Sequence, residues 1–156
     1  GIGAVGAKLL YPSGRIQHAG VVLGVRGIAG HAFRHLRGDQ EHYHGLSSVM
    51  RNCSAVTAAC TLISAKVFAQ IGGFESRLKV EYNDVDLCLR LIQEGYRVIY
   101  TPEALLIHYE NASRKGGCHP DDEAFFLSRW GEHIRRGDPY YNPHLTCLRE
   151  DWSIRI

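Results

Sequence analysis

Apolar and polar positions follow two different periods along this chain, and the changes of period mark its elements. Ala4 to Tyr11 is a largely apolar run that ends at Pro12, Ser13 and Gly14. It reads as a buried strand followed by a turn, because Pro presets φ and Gly permits positive φ. Arg15 to Gly24 then reads as a second strand, and the pair as a hairpin. Residues 24–45 are rich in Gly, His and Arg with weak periodicity, the pattern of a long surface loop. Ser54 to Ser64 (SAVTAACTLIS) is small and apolar with little period, which suits a strand buried on both faces. Ala65 to Ile71 reads as a short helix stopped by Gly72 and Gly73.

The clearest helical period runs from Asp84 to Glu94. Val85, Cys88, Leu89 and Ile92 fall at i, i+3, i+4 and i+7, the stripe of a core-facing helix. Asn83 suits the N-cap, Asp86 stands as the acid of a capping box and can pair with Arg90 at i,i+4, and Gly95 closes the helix. Arg97 to Thr101 reads as a strand stopped by Pro102, and Leu105 to Tyr109 as another. Asp121 to Arg136 reads as a polar-faced helix with Phe125, Phe126, Leu127, Trp130 and Ile134 as its apolar positions. Trp130 is most simply that helix's anchor. The tail from Gly137 has no strong period. No repeat or linker divides the chain, so residues 1–156 read as a single α/β domain.

Composition narrows the function classes. The 156 residues suffice for one core, and 45% hydrophobic with 22% charged content is ordinary for a globular protein. A net charge of +2, without basic clusters interleaved with aromatics, argues against nucleic acid as partner. No apolar run reaches membrane-spanning length and no signal peptide is visible. The chain starts at Gly1 and its one Met is Met50, so it reads as a piece of a longer protein. Five cysteines without a C-x-x-C pair fit a reducing, cytoplasmic compartment. The histidines of residues 25–45 lack partners at zinc-site spacing and read as solvated, with a lid over the site as an untested alternative.

Two features carry candidate chemistry. Asp84 and Asp86 sit where a loop turns into a helix, whose N-terminal N–H groups favour negative charge. His108 ends an apolar strand. The runs VTAACTLISAKVFAQIGGF and YNDVDLCLRLIQEGYRVIYTPEALLIHYENASR resemble the second half of family 2 glycosyltransferases with the GT-A fold. VGAKLLYPSGRIQHAG and WGEHIRRGDPYYNPHL fit the same bacterial, rhamnosyltransferase-like branch. The combination is what is specific: GGF, then an acid pair opening a helix, then GYR, then P-x-A-x-x-x-H, then S-R.

The resemblance implies a partial GT-A fold, a mixed sheet flanked by helices. It implies an inverting transfer of a sugar from a nucleotide-diphosphate donor to an acceptor hydroxyl of a glycan or lipid-linked acceptor. The product would be a surface polysaccharide built at the cytoplasmic face of the inner membrane. The family's nucleotide-binding half, with the D-x-D that holds Mg2+ or Mn2+, would lie upstream of Gly1. This chain alone would then be inactive and hold no metal. Asp84 matches the catalytic base, His108 a metal ligand, and Arg114 a donor-phosphate contact. Thr57, Gly73, Phe74, Asn83 and Asp86 match the acceptor side, with Asp86 also expected to secure the helix. Asn83 stands where the family often has Glu, and Asn111 where it often has Ser, which weakens contacts around Arg114.

Each residue has a plainer reading. Asp84 favours a helix start, His108 is satisfied at a strand end, and Arg114 is a solvated loop cation. Phe74 packs in the core and Gly73 stops a helix. The competing function is a non-catalytic carbohydrate- or partner-binding module on the same scaffold; a metal-binding regulator using the histidine-rich loop is a third. If part of a sheet is missing, the exposed edge favours a homodimer through the cut face.

Overall fold

The computed structural model describes residues 1–109 and 120–155. At its centre is β1 (Ile2–Leu10), which pairs in parallel with β7 (Arg97–Ile107) along one edge. Its other edge is shared between two short antiparallel strands, β6 (Thr61–Ile63) at Ala4–Gly6 and β2 (Ile16–His18) at Leu9–Leu10. β5 (Arg51–Asn52) closes the far side of β7, giving a mixed five-stranded sheet. β3 (Val21–Leu23) and β4 (Ala29–His31) form a separate antiparallel ribbon. Among the described residues the helices are α1 (Ala65–Gln70), α2 (Asn83–Gln93) and α3 (Pro120–Arg136). The α/β architecture is that expected from the apolar pattern, and the mixed sheet that expected from the resemblance. α2 lies across β1 and β7, and Trp130 and Phe126 of α3 sink into the same core with Tyr100 and Leu91.

Several elements differ from the sequence expectation. The strand expected over Arg15 to Gly24 breaks at Gly20, where φ is 94° and the chain turns away from β1. Only β2 therefore completes the hairpin, and β3 leaves to pair with β4. The expected surface loop over 24–45 contributes to the core instead: Ala32 and Phe33 are buried, and Phe33 stacks on Trp152 at 4.3 Å. Residues 54–64 are not one buried strand. Ser54 to Val56 are buried without forming a strand, Ala58–Cys60 form a 3-10 turn, and Leu62 on β6 is 75% exposed. The two strands expected around Pro102 are one. Ala7 faces Thr101 and Lys8 faces Leu105, so Pro102 falls in a bulge, where its missing N–H costs no ladder bond. The tail is anchored through Tyr141, Leu145 and Trp152.

One close approach decides where the site forms. A Cβ on Gly6 would lie 2.4 Å from Cβ of Val56, which is itself buried. The bare backbone of β1 thus lets residues 55–57 cross it at contact distance. Gly6→Ala is expected to destabilise the fold by about 1–3 kcal/mol through overpacking, read as a lower urea midpoint with unchanged slope.

Candidate functional site

The crossing at Gly6 delivers the 3-10 turn Ala58–Cys60 to the N-terminus of α2. Thr57 caps that turn, its Oγ1 accepting from Ala59 N at 3.3 Å. Asp84 stands half-buried in the first turn of α2. Its Oδ1 accepts from Val85 N at 2.9 Å and its Oδ2 from Ala58 N at 3.1 Å. The carboxylate is thereby fixed between the helix start and the turn. It opens on a cleft of about 330 Å³ whose other walls include Ala58, Thr61, Phe68, Phe74 and Leu87. Phe74 is 48% exposed and meets Phe68 edge-on at 5.5 Å. Gly73 carries the turn ahead of it at φ 68°. The structure thus brings Asp84, Phe74 and the Thr57–Ala58 turn to one place. Phe68 is a wall residue the sequence did not single out.

The helix start differs from the expected capping box. Asn83 is the first helical residue, and Tyr82 holds the cap position with φ 60° and no side-chain cap bond. Tyr82 instead stacks on Phe126 at 4.8 Å. The loop ahead of the helix is tied down by Asp122 of α3, which is fully buried. Its carboxylate accepts from the N–H groups of Lys79, Val80 and Glu81 at 3.1, 2.7 and 2.9 Å. Nothing in the sequence pattern marked Asp122, because its partners lie more than forty residues away on a loop without period.

Asp86 is a buried hub, and this corrects its place among the acceptor residues and as a capping acid. Its side chain has no exposed surface. It accepts from Trp130 Nε1 at 2.8 Å and Arg90 Nε at 2.8 Å, with Arg129 Nη1 at 3.2 Å. The pairing with Arg90 is as expected. Arg90 also donates to the carbonyls of Ile71 and Gly73 at 2.7 and 2.6 Å, which ties the Phe74 wall to α2. A carboxylate so enclosed has no face left for a ligand.

His108 lies at the end of β7 and does not line the Asp84 cleft. Its backbone N–H donates to Leu10 O at 2.9 Å. Its Nδ1 is 2.7 Å from Oε1 of Gln17, which is 4% exposed. An amide oxygen only accepts, so Nδ1 donates in this bond. That is the outer-shell arrangement of histidine metal ligands. Gln17 was not marked in the sequence; strand alternation on β2 would have placed it, but not its partner. No group of three or more His, Cys, Asp or Glu side chains gathers among the described residues. Arg114 and Asn111 lie outside the described residues.

The buried cysteines are chemically quiet. Burial pushes the Cys53 thiol up to about 12 and raises that of Cys88, which borders the cleft, still further. Native-state alkylation at pH 8 is expected to label exposed Cys147 and to spare both, as mass spectrometry of the modified peptides would show.

No family model matches the chain. It is similar to an uncharacterized protein, y4gI, of Sinorhizobium fredii, 44% identical over 99% of this chain and 18% of the relative. It is likewise 44% identical, over 99% of its length, to the O-antigen biosynthesis protein RfbC of Myxococcus xanthus, of which it covers 12%. The rhamnosyltransferase WbbL of Escherichia coli is 31% identical over 47% of this chain and 25% of the relative. The chain spans less than a fifth of the length of the first two relatives.

Proposed function

We propose that this chain is the acceptor-side part of an inverting glycosyltransferase of bacterial polysaccharide synthesis, with a partial GT-A fold. The observation that carries this is Asp84. It is a half-buried carboxylate held at a helix start by Ala58 N, facing a cleft with an exposed aromatic wall. The name of WbbL supports sugar transfer, and that of RfbC supports polysaccharide synthesis. An acceptor hydroxyl is a poor nucleophile until it loses its proton. In this reading Asp84 takes that proton as the hydroxyl oxygen bonds to the anomeric carbon. The bond to the nucleoside diphosphate breaks on the opposite face, which inverts the centre. Phe74 and Phe68 pack against the acceptor, while the Thr57–Ala58 turn keeps the base aimed. No helix among the described residues is long and apolar enough to cross a membrane. The reading places the longer protein at the cytoplasmic face, acting on a glycan or lipid-linked acceptor.

His108 would be this chain's ligand to Mg2+ or Mn2+, with Gln17 holding its tautomer. A bound divalent ion offsets charge on the departing diphosphate. Gln17→Leu in the full-length parent is expected to weaken Mn2+ binding about 10- to 100-fold, read by titration calorimetry. Unchanged affinity would remove Gln17 from the outer shell, and unchanged affinity in His108→Ala would remove His108 from the metal shell. The exposed side chains of Leu62, Leu105 and Ile107 favour self-association of the isolated chain; light scattering that returns a monomer at high concentration contradicts it.

The function itself is tested by incubating the full-length parent with nucleotide-diphospho-sugars, rhamnose donors first, and following release of nucleoside diphosphate. Acceptor-dependent release supports the transferase. Glycan binding without release from any donor supports the non-catalytic module instead.

A further inference from the structure

Behind the cleft lies an imidazole that the chemistry above does not use. His18 on β2 is fully buried. Its Nε2 accepts from Gly20 N at 3.2 Å and from Thr57 N at 3.4 Å. Its Nδ1 is 2.8 Å from Nδ1 of His31. A ring nitrogen that accepts from backbone N–H groups carries no proton, so the proton of His18 sits on Nδ1 and is donated to His31. Burial, then His31 and Arg51, hold its pKa well below the usual 6.5, so the ring stays neutral and its acceptor stays available.

We infer that His18 is a positioning residue for Asp84, holding the Thr57–Ala58 turn that in turn holds the carboxylate. The inference rests on the reading of Asp84 as the base. The linkage is short. His18 Nε2 fixes the N–H of Thr57; the next N–H, that of Ala58, is the one that reaches Asp84 Oδ2. The two anchors are N–H groups of consecutive residues, so only the φ and ψ of Thr57, at -72° and 140°, lie between them. Two further bonds stiffen the turn: Thr61 Oγ1 donates to Thr57 O, and Ala59 N donates to Thr57 Oγ1. Gly6 lets this segment press against β1, so the imidazole on one side and the bare backbone below confine it. Without the acceptor on His18, the Thr57 N–H loses its partner and the Ala58 N–H drifts from Asp84. Proton transfer is sensitive to that drift, since a misplacement of about 1 Å can cost about 100-fold in rate.

The test compares three variants in the full-length parent, using the donor that the screen above identifies. His18→Leu removes the acceptor, His18→Gln places an amide oxygen near the position of Nε2, and Asp84→Asn removes the base. His18→Leu is expected to lower kcat about 10- to 100-fold with little change in donor KM. Hydrogen-exchange mass spectrometry should show faster deuterium uptake in the peptide covering residues 54–62. His18→Gln should restore most of both. If the leucine variant does not fold, His18→Asn replaces it, because its shorter side chain reaches toward His31 but not Thr57. A kcat within roughly two-fold of wild type in the acceptor-less variant, while Asp84→Asn abolishes transfer, overturns the positioning role. Failure of the glutamine variant to recover also overturns it. Transfer that survives Asp84→Asn is a different failure: it removes the base reading, and this inference with it.

Discussion

Replacing Asp86 with alanine is expected to lower the unfolding free energy by about 3–5 kcal/mol, the range for breaking a buried ion pair from one side. Asp86 and Trp130 are both buried, and the Arg90 side chain is only 12% exposed. Alanine leaves the Arg90 guanidinium with two carbonyl partners and no counter-charge, and the Trp130 N–H with no acceptor. Trp130 is out of reach of water and Arg90 largely so, which leaves little to be recovered by hydration. Asp86→Asn keeps an acceptor for Trp130 and is expected to cost less, about 1.5–3 kcal/mol for the charged hydrogen bonds lost. Urea unfolding of the three proteins reads both values. A loss below about 1 kcal/mol for alanine, the level of an exposed pair, would contradict the hub assignment. The damage should extend to the cleft, because Arg90 also holds the carbonyl of Gly73, next to Phe74.

The contrast between Asp84 and Asp86 marks what the sequence made legible. Two acids at a helix start were visible in the letters, and the apolar stripe fixed which way the helix faces. Asp84 falls at the open end of that helix and Asp86 on its covered side. The stripe did not say what covers it. Leu87 and Leu91 are buried as well as the expected Val85, Cys88 and Leu89, because α2 has the sheet on one side and Trp130 of α3 on another. A local rule gives the Arg90 partner of Asp86, but its Trp130 partner is 44 positions away, and no local rule reaches that far.

Elsewhere the pattern failed for backbone reasons. Phe33, His35, Tyr43 and His44 all adopt positive φ, so residues 24–45 fold through tight turns that have neither period. Their aromatics still reach the core, with Phe33 and Tyr43 both against Trp152. Ala55 and Val56 are buried because this segment crosses Gly6, not because it forms a ladder; among the described residues one isolated bridge, Val21 to Ala55, pairs it. β2 gives a mixed result. Its alternation implies that Gln17 and His18 face opposite ways, yet their partners, His108 and Thr57, are 91 and 39 positions distant. The sequence could place both side chains on a strand and could not say that each holds part of a site.

In the proposed reaction Asp84 removes the proton from an acceptor hydroxyl. Asparagine is nearly the same shape and keeps an oxygen for Ala58 N or Val85 N, so Asp84→Asn should leave thermal stability close to wild type. The amide cannot accept a proton at neutral pH, so the loss should appear in kcat. General-base contributions are about 100- to 10,000-fold, and donor binding should change little because the cleft walls remain. The decisive measurement is the kcat of the Asp84→Asn full-length parent beside wild type, with melting temperatures taken on the same samples. The expected result is a folded protein that has lost at least about 100-fold in kcat; a folded variant that transfers sugar at the wild-type rate would rule out Asp84 as the base.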